Sequence, residues 1–143
     1  MTPQDRAKRS AAAMWANDRA SQALGMTLTD IAPGTATLTM PVRDDMLNGH
    51  RLCHGGFIFA LADSALAFAS NSHNRNALAQ NNQITYVAPA HAGEVLTAIA
   101  TEIHVAGRSG TYDVTVTGDK LRTVALMRGH TRTIAGTLFE EPQ

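Results

Sequence analysis

The chain has 143 residues, 44% of them hydrophobic and 17% charged, a globular composition with room for one core rather than a disordered one. Its 12 basic and 12 acidic side chains cancel, without the basic excess expected of a nucleic-acid binder. A lone cysteine, Cys53, excludes an intrachain disulfide framework, and neither a secretory leader nor a membrane-spanning run stands out, so a single cytoplasmic domain over residues 1–143 is expected.

Residues 4–24 read as a helix, rich in alanine, with Met14, Trp15 and Leu24 on an apolar face and Gly25 placed to end it. Two β-like segments follow, Met26–Ala32 and Thr35–Val42, separated by the turn dipeptide Pro33-Gly34. A polar loop then runs from Arg43 into His54-Gly55-Gly56, long enough to suggest a functional role. Gly56–Ser72 is apolar almost all round the helical wheel, which predicts a helix buried on most sides. The remainder is β-like. Gln80–Ala88 is closed by Pro89, and Glu94–Val105 follows the turn His91-Ala92-Gly93. Ser109–Thr117 alternates, Gly118-Asp119 suggests a hairpin turn, and Leu121–Ile134 ends the set. The order predicts an α+β fold in which long antiparallel strands wrap one apolar helix.

Asp63 is the only charged side chain between His54 and His73, in the middle of that apolar helix. Burying an ionised carboxylate without a partner costs several kcal/mol, roughly, so something must offset it. Either a structural partner or solvent accommodates it, or it is a catalytic base or nucleophile. The glycines of Asn48-Gly49-His50 and His54-Gly55-Gly56 allow close backbone approach at a helix start, where free N–H groups carry partial positive charge. Such a corner can stabilise the oxyanion formed when a thioester carbonyl is attacked. Gly55 and Asp63 are eight residues apart, roughly 12 Å along a helix, too far for both to reach one carbon within one copy. Two antiparallel copies remove the difficulty, which points to a dimer with two symmetric sites.

The run Asn48-Gly49-His50, Cys53-His54-Gly55-Gly56 and Leu61-Ala62-Asp63 resembles the signature of PaaI-like hotdog-fold acyl-CoA thioesterases of phenylacetic acid degradation. The likeness extends over nearly the whole chain, including Ala125-Leu126-Met127-Arg128-Gly129. It implies a hotdog fold: a long antiparallel sheet around one central helix, paired into a homodimer and often a homotetramer. It implies that the Gly55 amide polarises the thioester carbonyl and that Asp63 of the facing subunit activates water or attacks directly. His54 and Asn48 would orient the thioester and the loop. A polar residue early in the next strand would position the carboxylate; Asn81 is the candidate, with Gln80 and Asn82 close by. The expected substrates are (hydroxy)phenylacetyl-CoA-like thioesters, cleaved without a separate cofactor, since coenzyme A is part of the substrate.

Arg108, Ser109 and Gly110, at a turn between strands, are the candidate contacts for coenzyme A phosphates, ahead of Arg128 and Arg132. No metal is expected: His50 and His54 beside Cys53 lack a further ligand cluster. Cys53 reads as a buried thiol, and His73, His91, His104 and His130 as surface or structural residues. Two other readings stay open, a non-catalytic acyl-CoA-binding module and a hotdog acyl dehydratase using His54 with Asp63.

Overall fold

A computed structural model describes residues 1–142. Helix α1 (Pro3–Asn17) starts with a capping box, in which the Thr2 hydroxyl accepts from the Asp5 N–H and the Asp5 carboxylate accepts from the Thr2 N–H. The helix expected over residues 4–24 is two helices. Asp18 leaves helical geometry and caps α2 (Arg19–Ala23), its carboxylate accepting from the Ser21 N–H at 3.0 Å and the Ser21 hydroxyl at 2.7 Å. Gly25, at φ +73°, then turns the chain into the sheet.

The strands are β1 (Thr27–Ala32), β2 (Thr35–Pro41), β3 (Ala77–Tyr86), β4 (Val95–Ala106), β5 (Ser109–Thr117) and β6 (Thr123–Thr133). They form one six-stranded sheet in the order β1-β2-β4-β5-β6-β3, antiparallel throughout. The link from β5 to β6 is longer than a two-residue hairpin: a 3-10 turn spans Asp119–Leu121, with Lys120 and Leu121 both at positive φ.

Helix α3 (Gly55–Ser70) lies in the curl of this sheet. Its Leu61, Ala62, Ala65, Leu66, Phe68 and Ala69 are buried with Leu38 and Met40 of β2, Leu96 and Ala98 of β4, and Val114 and Val116 of β5. Small residues such as Ala98 and Ala100 let the helix approach the sheet, and each fully buried leucine contributes about 1.5–3 kcal/mol. This is the hotdog arrangement the sequence implied.

The two sheet edges are treated differently. Along β1, α1 packs close, and the Gln4 side chain donates to the Ile31 carbonyl at 2.8 Å. Along β3 the edge is open: ten residues, none charged and none proline, with β6 on one side only. Natural edges are usually blunted by charge, proline or a covering element.

Candidate active site

The loop before α3 is held by its own polar groups. The Asn48 side-chain oxygen accepts from the N–H groups of His50 (2.9 Å) and Leu52 (3.1 Å), folding residues 48–52 into a tight turn with Arg51 at φ +60°. The Cys53 N–H donates to Ala90 O, and the His54 N–H to Met46 O, both at 2.8 Å, anchoring the approach to the helix.

His54 is the N-cap of α3, and its Nδ1 accepts from the Gly56 N–H at 3.0 Å. An accepting Nδ1 places the proton of the neutral ring on Nε2, leaving that N–H as a donor toward the exterior. The Phe57 N–H is satisfied by His54 O at 3.0 Å. Among the described residues, the Gly55 N–H has no partner, at the positive end of the helix. Tyr86 lies over Gly55, its hydroxyl donating to Gly55 O at 3.0 Å. A Cβ on Gly55 would sit 3.1 Å from the Tyr86 ring, so a side chain there would press on the phenol. A groove of about 360 Å³ opens beside this corner, lined by Asn48, Leu52, Ile58, Tyr86, Val87 and Pro89.

Asp63 lies two turns further along α3, half-buried. The Asn82 carboxamide of β3 donates to its Oδ1 at 2.9 Å. Burial pushes the Asp63 carboxyl above the usual carboxylate range, and the Asn82 hydrogen bond partly opposes the shift. The strand residue that reaches Asp63 is therefore Asn82, not Asn81. Asn81 pairs opposite His130 and is exposed. The register slips between Ala79 and Asn81, and this β-bulge changes the phase of the strand, so that after the buried Ala77 the partly buried positions are Asn82 and Ile84. Strict alternation along the sequence would have turned Asn81 inward.

Within one chain Gly55 and Asp63 remain separated by half the helix. Arg108, Ser109 and Gly110 lie at the other end of α3, with Ser109 and Gly110 beside Ser70. Arg128 is committed to Asp113 through two bonds of 2.6 and 2.8 Å. Cys53 is buried, its thiol pushed up by burial and by Glu94, which makes it a poor nucleophile. His73 bonds Glu102 at 2.8 Å, His91 contacts Glu94 and His130 contacts Thr111. Among the described residues, no three His, Cys, Asp or Glu side chains cluster as metal ligands, and no helix is long and apolar enough to cross a membrane.

Sequence reasoning passed over Glu94. Its side chain is only 6% exposed and takes Arg122 at 3.0 Å, the His91 N–H at 2.6 Å and the Asp119 N–H at 3.1 Å. These donors hold its carboxyl down at about 2. An acid directly after a turn carries no local feature that sets it apart from a solvated surface charge.

A family model described as thioesterase superfamily matches residues 50–125. Acyl-coenzyme A thioesterase PaaI of Escherichia coli (strain K12) is 41% identical over 136 residues, 95% of this chain and 97% of that one. The chain belongs to the thioesterase superfamily. Among solved structures, the E. coli PaaI protein from the phenylacetic acid degradation operon matches with a TM-score of 0.94 at 40% identity, over 95% of this chain and 99% of that one. The TT0310 protein of Thermus thermophilus matches at 0.77 and 39% identity, over 80% and 96%. The smu.793 protein of Streptococcus mutans UA159, solved bound to acetyl CoA, matches at 0.76 and 25% identity, over 78% and 90%. As a thioesterase superfamily member of the PaaI type, the chain is a thioester hydrolase.

Proposed function

We propose that this thioesterase hydrolyses acyl-CoA substrates, arylacetyl thioesters first among them, at two sites shared across a homodimer. The observation that carries the reading is the state of Asp63: a desolvated carboxylate with one hydrogen-bond donor, beside the open sheet edge. The arylacetyl preference rests on the likeness to E. coli PaaI.

In this reading the thioester carbonyl oxygen is received by the Gly55 N–H, with the His54 Nε2–H as a second donor. Asp63 of the other subunit takes a proton from water as it attacks the carbonyl carbon, or attacks that carbon itself. When water attacks, the tetrahedral intermediate collapses, the C–S bond breaks and the proton held by Asp63 passes to the departing thiolate, giving a carboxylate and free coenzyme A. When Asp63 attacks, C–S cleavage leaves a mixed anhydride on Asp63, which water hydrolyses to the same products, its proton balancing the thiolate. Asn48 supports the corner by holding its turn, and Asn82 holds Asp63.

The geometry of one chain supports a particular pairing. Tyr86 sits beside Gly55 and Asn82 beside Asp63, so β3 and α3 run in opposite directions in step. Eight helix residues cover roughly 12 Å and four strand residues roughly 13–14 Å, which agree. Antiparallel pairing of β3 with its own copy about Ile84 would set Asn82 opposite the partner's Tyr86. Asp63 would then face the partner's Gly55. The uncharged β3 edge fits this use, and a homotetramer of two such dimers fits the family. Arg108, Ser109 and Gly110 remain the proposed contacts for coenzyme A phosphates.

A hydrolysis panel of arylacetyl, benzoyl and fatty acyl-CoA, read by thiol release, tests the proposal. The expected result is fastest turnover of the arylacetyl substrate and loss of turnover in Asp63→Asn. Binding without thiol release would favour a non-catalytic module, and hydration of an enoyl thioester would favour a dehydratase.

A further inference from the structure

We propose that Gly129 is a positioning residue for the reaction: the missing side chain at this point of β6 is what lets Asn82 turn inward and hold Asp63. The inference rests on the reading of Asp63 given above and adds a residue to it.

Gly129 and Asn82 lie directly opposite each other in the β3–β6 ladder. The neighbouring inward residues of β6, Met127 and Thr131, both carry buried side chains. Gly129 is a gap between them, and Asn82 and Leu66 fill it. A Cβ at position 129 would stand 2.5 Å from Asn82 Oδ1 and would overlap Leu66 Cδ1 outright. Real Cβ atoms do not approach that closely, so Asn82 or Leu66 would have to move.

The Asn82 oxygen is buried and has no hydrogen-bond partner. No donor holds this end of the carboxamide, so its position is set by the space it fits. With the oxygen in the gap, the amide N–H points at the carboxylate. An ionised carboxylate only accepts hydrogen bonds, so this is the productive orientation. Filling the gap pushes the oxygen out and swings the donor away from Asp63. The influences on the Asp63 carboxyl are burial and the Asn82 amide; no charged side chain of α3, β3 or β6 contributes. Arg128 and His130, on either side of Gly129, face Asp113 and Thr111 on the other side of the sheet. Losing the Asn82 donor therefore leaves burial unopposed and raises the Asp63 pKa further.

The test compares Gly129→Ala, Asn82→Ala, their double variant, and Gly129→Ala combined with Leu66→Val, which removes the Leu66 Cδ1 overlap, each first matched to wild type by circular dichroism. Each is measured as kcat and KM across pH with the arylacetyl thioester. Gly129→Ala is expected to lower kcat about tenfold or more with KM within about twofold, and to move the acidic limb to higher pH. Asn82→Ala should do the same, the double variant should be no worse than Asn82→Ala alone, and Leu66→Val should not rescue. Wild-type kcat and acidic limb in the Gly129→Ala/Leu66→Val variant would overturn the proposal. So would losses from Gly129→Ala and Asn82→Ala that multiply. Asp63→Asn, run beside them, separates the two readings. Full activity there removes the role of Asp63 itself, whereas an inactive Asp63→Asn with a normal Gly129→Ala removes only the positioning role.

Discussion

Asp63 and Glu94 are both drawn out of solvent, and they are held in opposite ways. Glu94 has Arg122 and two backbone N–H groups around it, and sits well below the usual carboxylate range. Asp63 has a single side-chain amide and apolar surroundings, and sits above that range. A carboxylate with every lone pair satisfied is a clasp: Glu94 ties the His91–Gly93 turn to the Asp119–Arg122 turn near the helix entry. A carboxylate with spare lone pairs and little solvation is poised to take a proton or bond to carbon. Burial alone does not distinguish structure from chemistry; the count and charge of the donors does.

The comparison can be broken by exchanging one residue at a time. Asp63→Asn is expected to cost about a thousandfold or more in kcat, in line with loss of the reacting group. Its thermal midpoint should equal or exceed wild type, because the raised pKa means that ionised Asp63 lowers stability at neutral pH. A lower midpoint with retained turnover would place Asp63 in the same class as Glu94.

Gly55→Pro sharpens the other half of the site. Proline is favoured at the first position of a helix, and His54 at φ −60° and ψ 132° already has the geometry that precedes proline. The substitution deletes the free N–H and keeps the helix, but its Cβ presses on the Tyr86 ring, so it is made in a Tyr86→Ala background and compared with Tyr86→Ala alone. A further loss of about 10²–10³ in kcat is expected with the circular dichroism spectrum unchanged.

Glu94→Ala should show the reverse signature, a stability loss of about 2–3 kcal/mol by urea titration with kcat of the folded enzyme within about threefold of wild type. The pH dependence follows from the depressed pKa. Glu94 contributes its stability above its ordinary value of 4.5, and that contribution is lost as pH falls toward about 2. Wild type should therefore steepen toward acid unfolding across that window, and Glu94→Ala should be flatter. Activity should fade at higher pH than stability does, since Asp63 protonates first. The smallest expected effect belongs to Arg108→Ala, a severalfold rise in KM for coenzyme A thioesters with kcat unchanged.

Much of the fold was legible in the sequence. Periodicity located the strands to within a few residues, and the apolar run around Asp63 announced a helix enclosed by the sheet. The break at Asp18 carried its own signal, a capping residue inside an alanine-rich run. Asp63, Gly55, His54 and Asn48 stood out because each residue type is unusual where it falls: a charge among apolar neighbours, or glycine and a capping side chain at a helix start. Asn82 was hidden because a bulge breaks alternation, and a bulge is a property of the paired strands. Glu94 and Gly129 were hidden for a related reason. Their partners are distant in sequence, and neither residue type is unusual in its own segment.

The central claim is that Asp63 and Gly55 meet only across two chains. Co-expressing Asp63→Asn with Gly55→Pro subunits and assaying the mixture tests it directly. Each mixed dimer carries one site with both groups intact, so a statistical mixture of two inactive parents should regain about a quarter of wild-type activity. A mixture that forms mixed dimers and stays as inactive as its parents would contradict the claim.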